Sequence, residues 1–189
     1  MTESETQKAD VQTNRAARKW SKSELLGRLI WDCTQFAFRW SPRQFWLWRR
    51  VFLRVFGAQI GNHVHIHPSV RIAVPWNVEI GDYSAIGDGA IIYSLGRVRI
   101  AAQATISQYV HLCAGTHDYR DPAMPLEKSS IDIEDGVWVC ANAFVGPNTR
   151  LGAYAIIGAA SVAVSDVPAW TIVAGNPARK IKTRPAFKA

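Results

Sequence analysis

The chain has 189 residues, 48% of them hydrophobic and 20% charged, with a net charge of +7. That length builds one domain with an appendage, the composition excludes a collagen-like fibre or a disordered main body, and no run of about 18 apolar residues exists to span a bilayer. Residues 1–56 hold eleven Lys/Arg against five Asp/Glu, and residues 57–189 eleven against ten. The positive charge therefore lies in the N-terminal part and in a cluster at Arg179, Lys180, Lys182, Arg184 and Lys188. Such confined clusters suit local anion contacts and argue against a nucleic-acid-binding face.

In chain order, residues 1–19 are polar with no apolar segment behind them, which predicts a disordered tail and no secretory signal. Cys33, Cys113 and Cys140 are an odd number without paired spacing, as expected of reduced thiols in a cytoplasmic protein. Residues 20–57 carry five of the eight tryptophans among arginines and aliphatics. Ser23-Glu24 opens a helix with Leu25, Leu29, Cys33 and Phe36 on one stripe, Pro42 breaks it, and a second helix runs to Phe56 and ends at Gly57. Two roles are open for this appendage. It caps the first turn of the body, or residues 20–56 touch an anionic membrane as a basic, Trp-rich peripheral surface.

From Ile60 the chain repeats every six residues: IGNHVH, IHPSVR, IAVPWN, then IGDYSA, IGDGAI, IYSLGR, and so on to AVSDVP at Pro168. Fifteen hexads are visible, led by an aliphatic residue in all but the last, where Ala163 stands, and their fifth position is small or Val except at Trp76. Six fits neither the 3.6-residue helix nor the heptad, but an even period keeps the same residues on one side of a strand. Gly, Asn and Asp between the leads supply corners. Coils of three short strands follow, hence an all-β parallel β-helix of about five coils over residues 58–168, with a C-terminal segment over 169–189. Ile60, Ile80 and Ile100 are twenty residues apart, so the two-residue inserts Val78-Glu79 and Val98-Arg99 fall at one corner of successive coils. The metre breaks once, after LCAGTH, giving an extruded loop over 118–132, and it resumes at Ile133.

The stretches IGDYSAIGDG, VWVCANAFVGPNTRLGAYAIIGAASV and DVPAWTIVAGNPARKI resemble the hexapeptide-repeat acyltransferases with a left-handed β-helix. LCAGTHDYRDPAMPL with AGNPAR is most similar to the colanic-acid-type acetyltransferases, relatives of the maltose and galactoside enzymes. The resemblance implies a homotrimer with sites between subunits, acetyl-CoA as co-substrate and no permanently bound cofactor. It also implies transfer of acetyl to a saccharide hydroxyl, on an acceptor that is free or lipid-linked. It places the catalytic histidine at His117, and an imidazole suits the task of taking the hydroxyl proton.

Asp118 neighbours His117, but adjacent residues of an extended chain point to opposite sides, so a backbone carbonyl is expected to orient the ring. Asp118, Tyr119 and Arg120 are acceptor-binding candidates or loop anchors, because sugar hydroxyls favour polar and aromatic neighbours. By resemblance the coenzyme lies along Trp138, Ala141, Asn142, Ala159 and Ala160, with its phosphates at Arg179, Lys180 and Lys182. Ala141 stands where the maltose-type enzymes carry a serine, which leaves a backbone N–H as oxyanion donor. Val164-Ser165 replaces their Thr-Lys. His63, His65 and His67 alternate, yet no Glu or Cys completes a ligand set, so no metal is expected. Three alternatives remain: N-acetylation of an amino sugar, a non-catalytic β-helix scaffold, and a metal-binding β-helix.

Overall fold

The leading residues of the hexads stack into three internal ladders, in a computed structural model that describes residues 8–188. Ile60, Ile80, Ile100, Ile133 and Leu151 form the first ladder. Ile66, Ile86, Ile106, Val139, Ile157 and Val173 form the second. Ile72, Ile92, Leu112, Val145 and Ala163 form the third. None is more than 6% exposed, so the metre of the sequence is the core of the protein. Each ladder belongs to one parallel sheet, and the three sheets are the faces of a prism. Five coils are complete, and a sixth begins where Val167 bridges Leu151 and Thr171–Gly175 joins the second face.

The corners explain which residues sit between the leads. His63, Tyr83, Gln103, Tyr109, Asn142, Asn148, Tyr154 and Ala160 all adopt left-handed backbone, with φ between 54° and 61°. This conformation is unfavourable for residues other than glycine. Stacking along the corner offsets part of that cost: His63 lies on Tyr83 at 4.9 Å between ring centroids, and Tyr154 on Trp170 at 4.6 Å. Where Tyr154 lies against the corner of the preceding coil, only Gly136 fits, because a Cβ there would stand 2.5 Å from the tyrosine ring. His63 thus occupies a corner, outside the strand His65–Ile66.

The appendage consists of three helices: α1 (Val11–Ala16), α2 (Lys22–Arg39) and α3 (Trp46–Val55). Helix α1 lies within residues 1–19, the segment expected to be a disordered tail; residues 1–7 lie outside the described residues. Helix α2 opens two residues earlier than Ser23-Glu24 suggests. Ser21 is its cap, its Oγ accepting from Glu24 N–H at 3.2 Å while its own N–H donates to Glu24 Oε2 at 2.7 Å, a reciprocal capping box. Gly57, at φ +84°, ends the segment after α3.

Capping of the coil is visible atom by atom. Between coils alternate residues face opposite ways, Gly61 N–H donating forward to Ile80 O at 2.7 Å while Asn62 O accepts from Tyr83 N–H at 2.9 Å, so the first-coil residues that face away from the second coil present their carbonyls at the open end. Arg54 Nε donates to Ile60 O at 2.8 Å, Arg50 to Val64 O at 3.4 Å, Arg49 Nε to Ile66 O at 2.6 Å and Trp31 Nε1 to Ile72 O at 2.9 Å. Side-chain donors close the edge that a solenoid would otherwise expose. Trp76, the exception to the hexad rule, lies under the appendage. A Cβ added at Gly27 of α2 would stand 3.1 Å from its ring.

The stripe Leu25, Leu29, Cys33 and Phe36 does not face the coil. Trp31 and Phe38, on the opposite side of α2, are buried with Leu53 of α3, whereas Leu29 is 60% and Phe36 63% exposed. Helix α2 is apolar on two sides, and the inward one is shorter.

Candidate active site

The break in the metre is a β-hairpin. Thr116–His117 pairs antiparallel with Leu126–Glu127, His117 opposite Leu126. His117 is therefore on the first strand of the extruded hairpin, where the hexad count alone would seat it on the coil. The excursion also closes earlier than residue 132, because Ile131–Ile133 already pairs with Val98–Ile100 and Thr149–Leu151 on the first face. Ile131-Asp132 is the third of the two-residue inserts at that corner. The returning chain passes so close to the coil that a Cβ on Gly96 would stand 1.9 Å from Ser129 O.

His117 Nδ1 donates to Met124 O at 2.6 Å across the hairpin. A carbonyl only accepts, so the bond fixes the proton on Nδ1 and leaves the Nε2 lone pair free. Met124 O also accepts from Asn14 Nδ2, which bonds Ala123 O as well, at 2.6 Å. Asp10 N–H donates to Pro122 O at 2.7 Å. Helix α1 thus braces the hairpin. Nothing in the tail's composition signals this: Asn14 is one polar residue among many.

Asp118 turns to Arg120 and not to His117. Its Oδ1 accepts from Arg120 Nε at 2.9 Å and Arg120 N–H at 3.0 Å, and the Arg120 side chain, then its backbone N–H, hold the carboxyl below its ordinary pKa. Tyr119 at the hairpin tip is 86% exposed. His111 is a poor competitor for the base role. Its ring is wedged between Tyr93 and Phe144, its Nε2 is buried without a partner among the described residues, and burial pushes its pKa down.

The coenzyme candidates form a second group. Trp138 stands half-exposed on the second face, and its Nε1 donates to Ser107 Oγ at 3.0 Å. Its outward row runs through Ile156 and Ile172 to Lys182 on the antiparallel strand Ala178–Thr183, roughly 14 Å by strand spacing. Lys180 and Arg179 pair with Val173 and Ala174 on the same strand. Ala141 and Ala160 meet at the next corner, Ala160 N–H donating to Ala141 O at 2.9 Å, and Asn142 N–H donates to Gln108 O at 3.1 Å. Among the described residues the N–H groups of Ala141 and Ala159 make no hydrogen bond, so both are available to an incoming acceptor atom. The hairpin leaves the corner between the third and first faces, whereas Trp138 lies on the second. One chain does not bring the two groups together.

No three His, Cys, Asp or Glu residues cluster as metal ligands among the described residues. No family model matches the chain. It is 38% identical over 157 residues, 83% of this chain and 86% of the relative, to WcaF of Escherichia coli (strain K12), a protein provisionally named a colanic acid biosynthesis acetyltransferase. The chain belongs to the hexapeptide-repeat acetyltransferases. Members of known structure share its left-handed β-helix. A hexapeptide-repeat acetyltransferase from Vibrio cholerae, solved with acetyl coenzyme A, superposes with a TM-score of 0.81 at 22% identity, over 89% of this chain and 93% of its own. A galactoside acetyltransferase solved with coenzyme A gives 0.80 at 21% identity, over 91% and 89%. Within this family the chain is an acyltransferase.

Proposed function

We propose that this chain transfers acetyl from acetyl-CoA to a saccharide hydroxyl in surface-polysaccharide biosynthesis, with His117 as general base. The observation that carries the proposal is the His117 imidazole, held on an extruded hairpin in the tautomer whose Nε2 is basic. The relatives supply the substrate classes: one is named for colanic acid biosynthesis, another acts on galactosides, and two were solved with coenzyme A or its acetyl form.

The steps follow from this geometry. Nε2 takes the acceptor hydroxyl proton as the oxygen attacks the thioester carbonyl. The tetrahedral oxyanion accepts from a backbone N–H, for which Ala141 is the candidate, since its side chain carries no donor. Collapse expels the CoA thiolate, which recovers the proton from the imidazolium, leaving an O-acetyl saccharide and CoA. Acetyl-CoA is a co-substrate here. Trp138 and the small residues Ala141, Asn142, Ala159 and Ala160 would line its pantetheine, and Arg179, Lys180 and Lys182 its phosphates.

A homotrimer completes the site, placing one subunit's hairpin against the second face of its neighbour, and the separation of the two groups within one chain supports this. Residues 20–56 hold the enzyme peripherally at a cytoplasmic membrane face. The exposed apolar side of α2 and α3 supports that reading, and no described helix is long and apolar enough to cross a membrane. Trp138→Ala is expected to weaken acetyl-CoA binding about tenfold, measured by calorimetric titration. Wild-type protein that shows no heat with acetyl-CoA would overturn the proposal.

A further inference from the structure

Helix α1 and the extruded hairpin enclose a pocket of about 360 Å³ beside the proposed base. Its charged lining is Arg18, Lys19 and Lys128, its apolar lining includes Ala17, Pro125 and Leu126, and no described Asp or Glu lines it. Strand alternation accounts for this sorting of charge. His117 pairs directly with Leu126, so the two side chains share one side of the hairpin. Leu126 and Lys128 both line the pocket, whereas Glu127 between them does not, and its charge acts on Arg120. Asp118 is likewise turned to Arg120. Both acids next to the base are drawn away from the pocket side.

The cations are tied to the base through neutral groups. Met124 O accepts from both His117 Nδ1 and Asn14 Nδ2, and Asn14 Oδ1 accepts from Lys19 Nζ. Lys19 therefore stands near His117 without touching it, and its partner carries no charge to offset its own. Arg18 Nε donates to Trp20 O at 3.3 Å, again a neutral acceptor. Lys128 Nζ meets Glu24 Oε1 at 3.5 Å and lies 3.9 Å from the centroid of the Trp20 ring. Glu24 is also engaged by the Ser21 N–H at 2.7 Å, and Arg28 lies over the same indole at 4.2 Å. One shared carboxylate against this group of cations leaves positive charge in excess at a partly enclosed site, which favours an anion.

We propose that this pocket is an anionic subsite of the acceptor: the saccharide that receives the acetyl group carries a carboxylate, as a hexuronic acid does. The carboxylate meets Arg18, Lys19 and Lys128 by charge-assisted hydrogen bonds, and a neighbouring hydroxyl reaches His117 Nε2. The apolar lining adjoins the cations within one small space, which suits an anion attached directly to a sugar ring. This rests on the acetyl-transfer reading above and names the charge class of its acceptor. It makes Arg18 and Lys128 specificity-determining residues.

The test is steady-state acetyl transfer, followed by CoA release, to oligosaccharides containing hexuronic acids, to the same oligosaccharides after carboxyl reduction, and to the corresponding sugar phosphates. Wild type is expected to show a kcat/KM about tenfold higher for the acidic form than for its reduced counterpart, with the gap narrowing as salt is raised. Arg18→Gln with Lys128→Gln should erase the gap by raising KM for the acidic form at unchanged kcat, and should leave the reduced form's kinetics as in wild type. Lys128→Arg should keep the preference. Losses that fall equally on both forms in the double variant would show a merely structural role and overturn the subsite, as would a preference for the sugar phosphates over the uronic acids. Equal transfer to acidic and reduced forms by wild type sinks the anionic subsite and leaves acetyl transfer standing. No transfer to any form, from protein that binds acetyl-CoA, sinks both.

Discussion

His117→Ala is expected to reduce acetyl transfer by about 10²- to 10⁴-fold while leaving thermal melting and oligomeric mass unchanged. The side chain is exposed on a two-residue hairpin strand, and its recorded hydrogen bond is the one to Met124 O, so its loss removes chemistry and little packing. Asn14 provides the internal control. It shares the Met124 carbonyl with His117 and holds the hairpin to α1, so it is a positioning residue. Asn14→Ala should lower kcat by a smaller factor with acetyl-CoA affinity unchanged, and in the His117→Ala background it should add nothing further. Steady-state kinetics of the two single variants and the double variant decide this. Additive losses would mean that Asn14 acts elsewhere.

Arg49→Met is expected to destabilise the fold by about 1–3 kcal/mol for each buried acceptor left without its donor. Arg49 is completely buried. Its guanidinium donates to Ile66 O at 2.6 Å, Ser41 Oγ at 2.7 Å, Pro42 O at 2.9 Å and Arg43 O at 2.5 Å. Burial lowers its pKa, but the surrounding carbonyls satisfy the cation. Methionine fills a similar volume and leaves those acceptors without a donor, one of them on the open edge of the first coil. Arg49→Lys should recover only part of the loss, because an ammonium cannot reproduce the planar fork. Denaturant unfolding followed by far-ultraviolet circular dichroism measures both. A wild-type midpoint for Arg49→Met would show that the coil end does not depend on this cap.

The coil was legible because an even six-residue period leaves little choice of architecture: the leads that stand out in the sequence are the buried ladder residues. The N-terminal part was less so. Helix α2 carries apolar residues on two sides, and periodicity cannot say which side packs; the regular stripe of Leu25, Leu29, Cys33 and Phe36 is the exposed one. The arginines of α3 look like a basic patch in sequence, yet all three cap carbonyls whose lack of partners becomes evident only once the coil is built. The end of the hairpin is hard to read from sequence because Ile131-Asp132, the third corner insert, sits directly beside the loop. The carbonyl partner of His117 could be anticipated from strand alternation, but its identity as Met124, shared with Asn14, depends on a hairpin pairing that no local pattern encodes. Asp118 is an anchor through Arg120, and its closeness to His117 in sequence is not closeness in chemistry.

The most direct measurement of acetyl transfer to a saccharide hydroxyl is mass spectrometry of a panel of sugars and amino sugars incubated with acetyl-CoA and the protein, before and after mild alkali. An ester is cleaved by alkali and an amide is not. The expected result is an acetyl-CoA-dependent mass gain on a saccharide that is lost in alkali and absent with His117→Ala. An alkali-stable gain confined to amino sugars, or a gain that survives the loss of His117, would contradict the account.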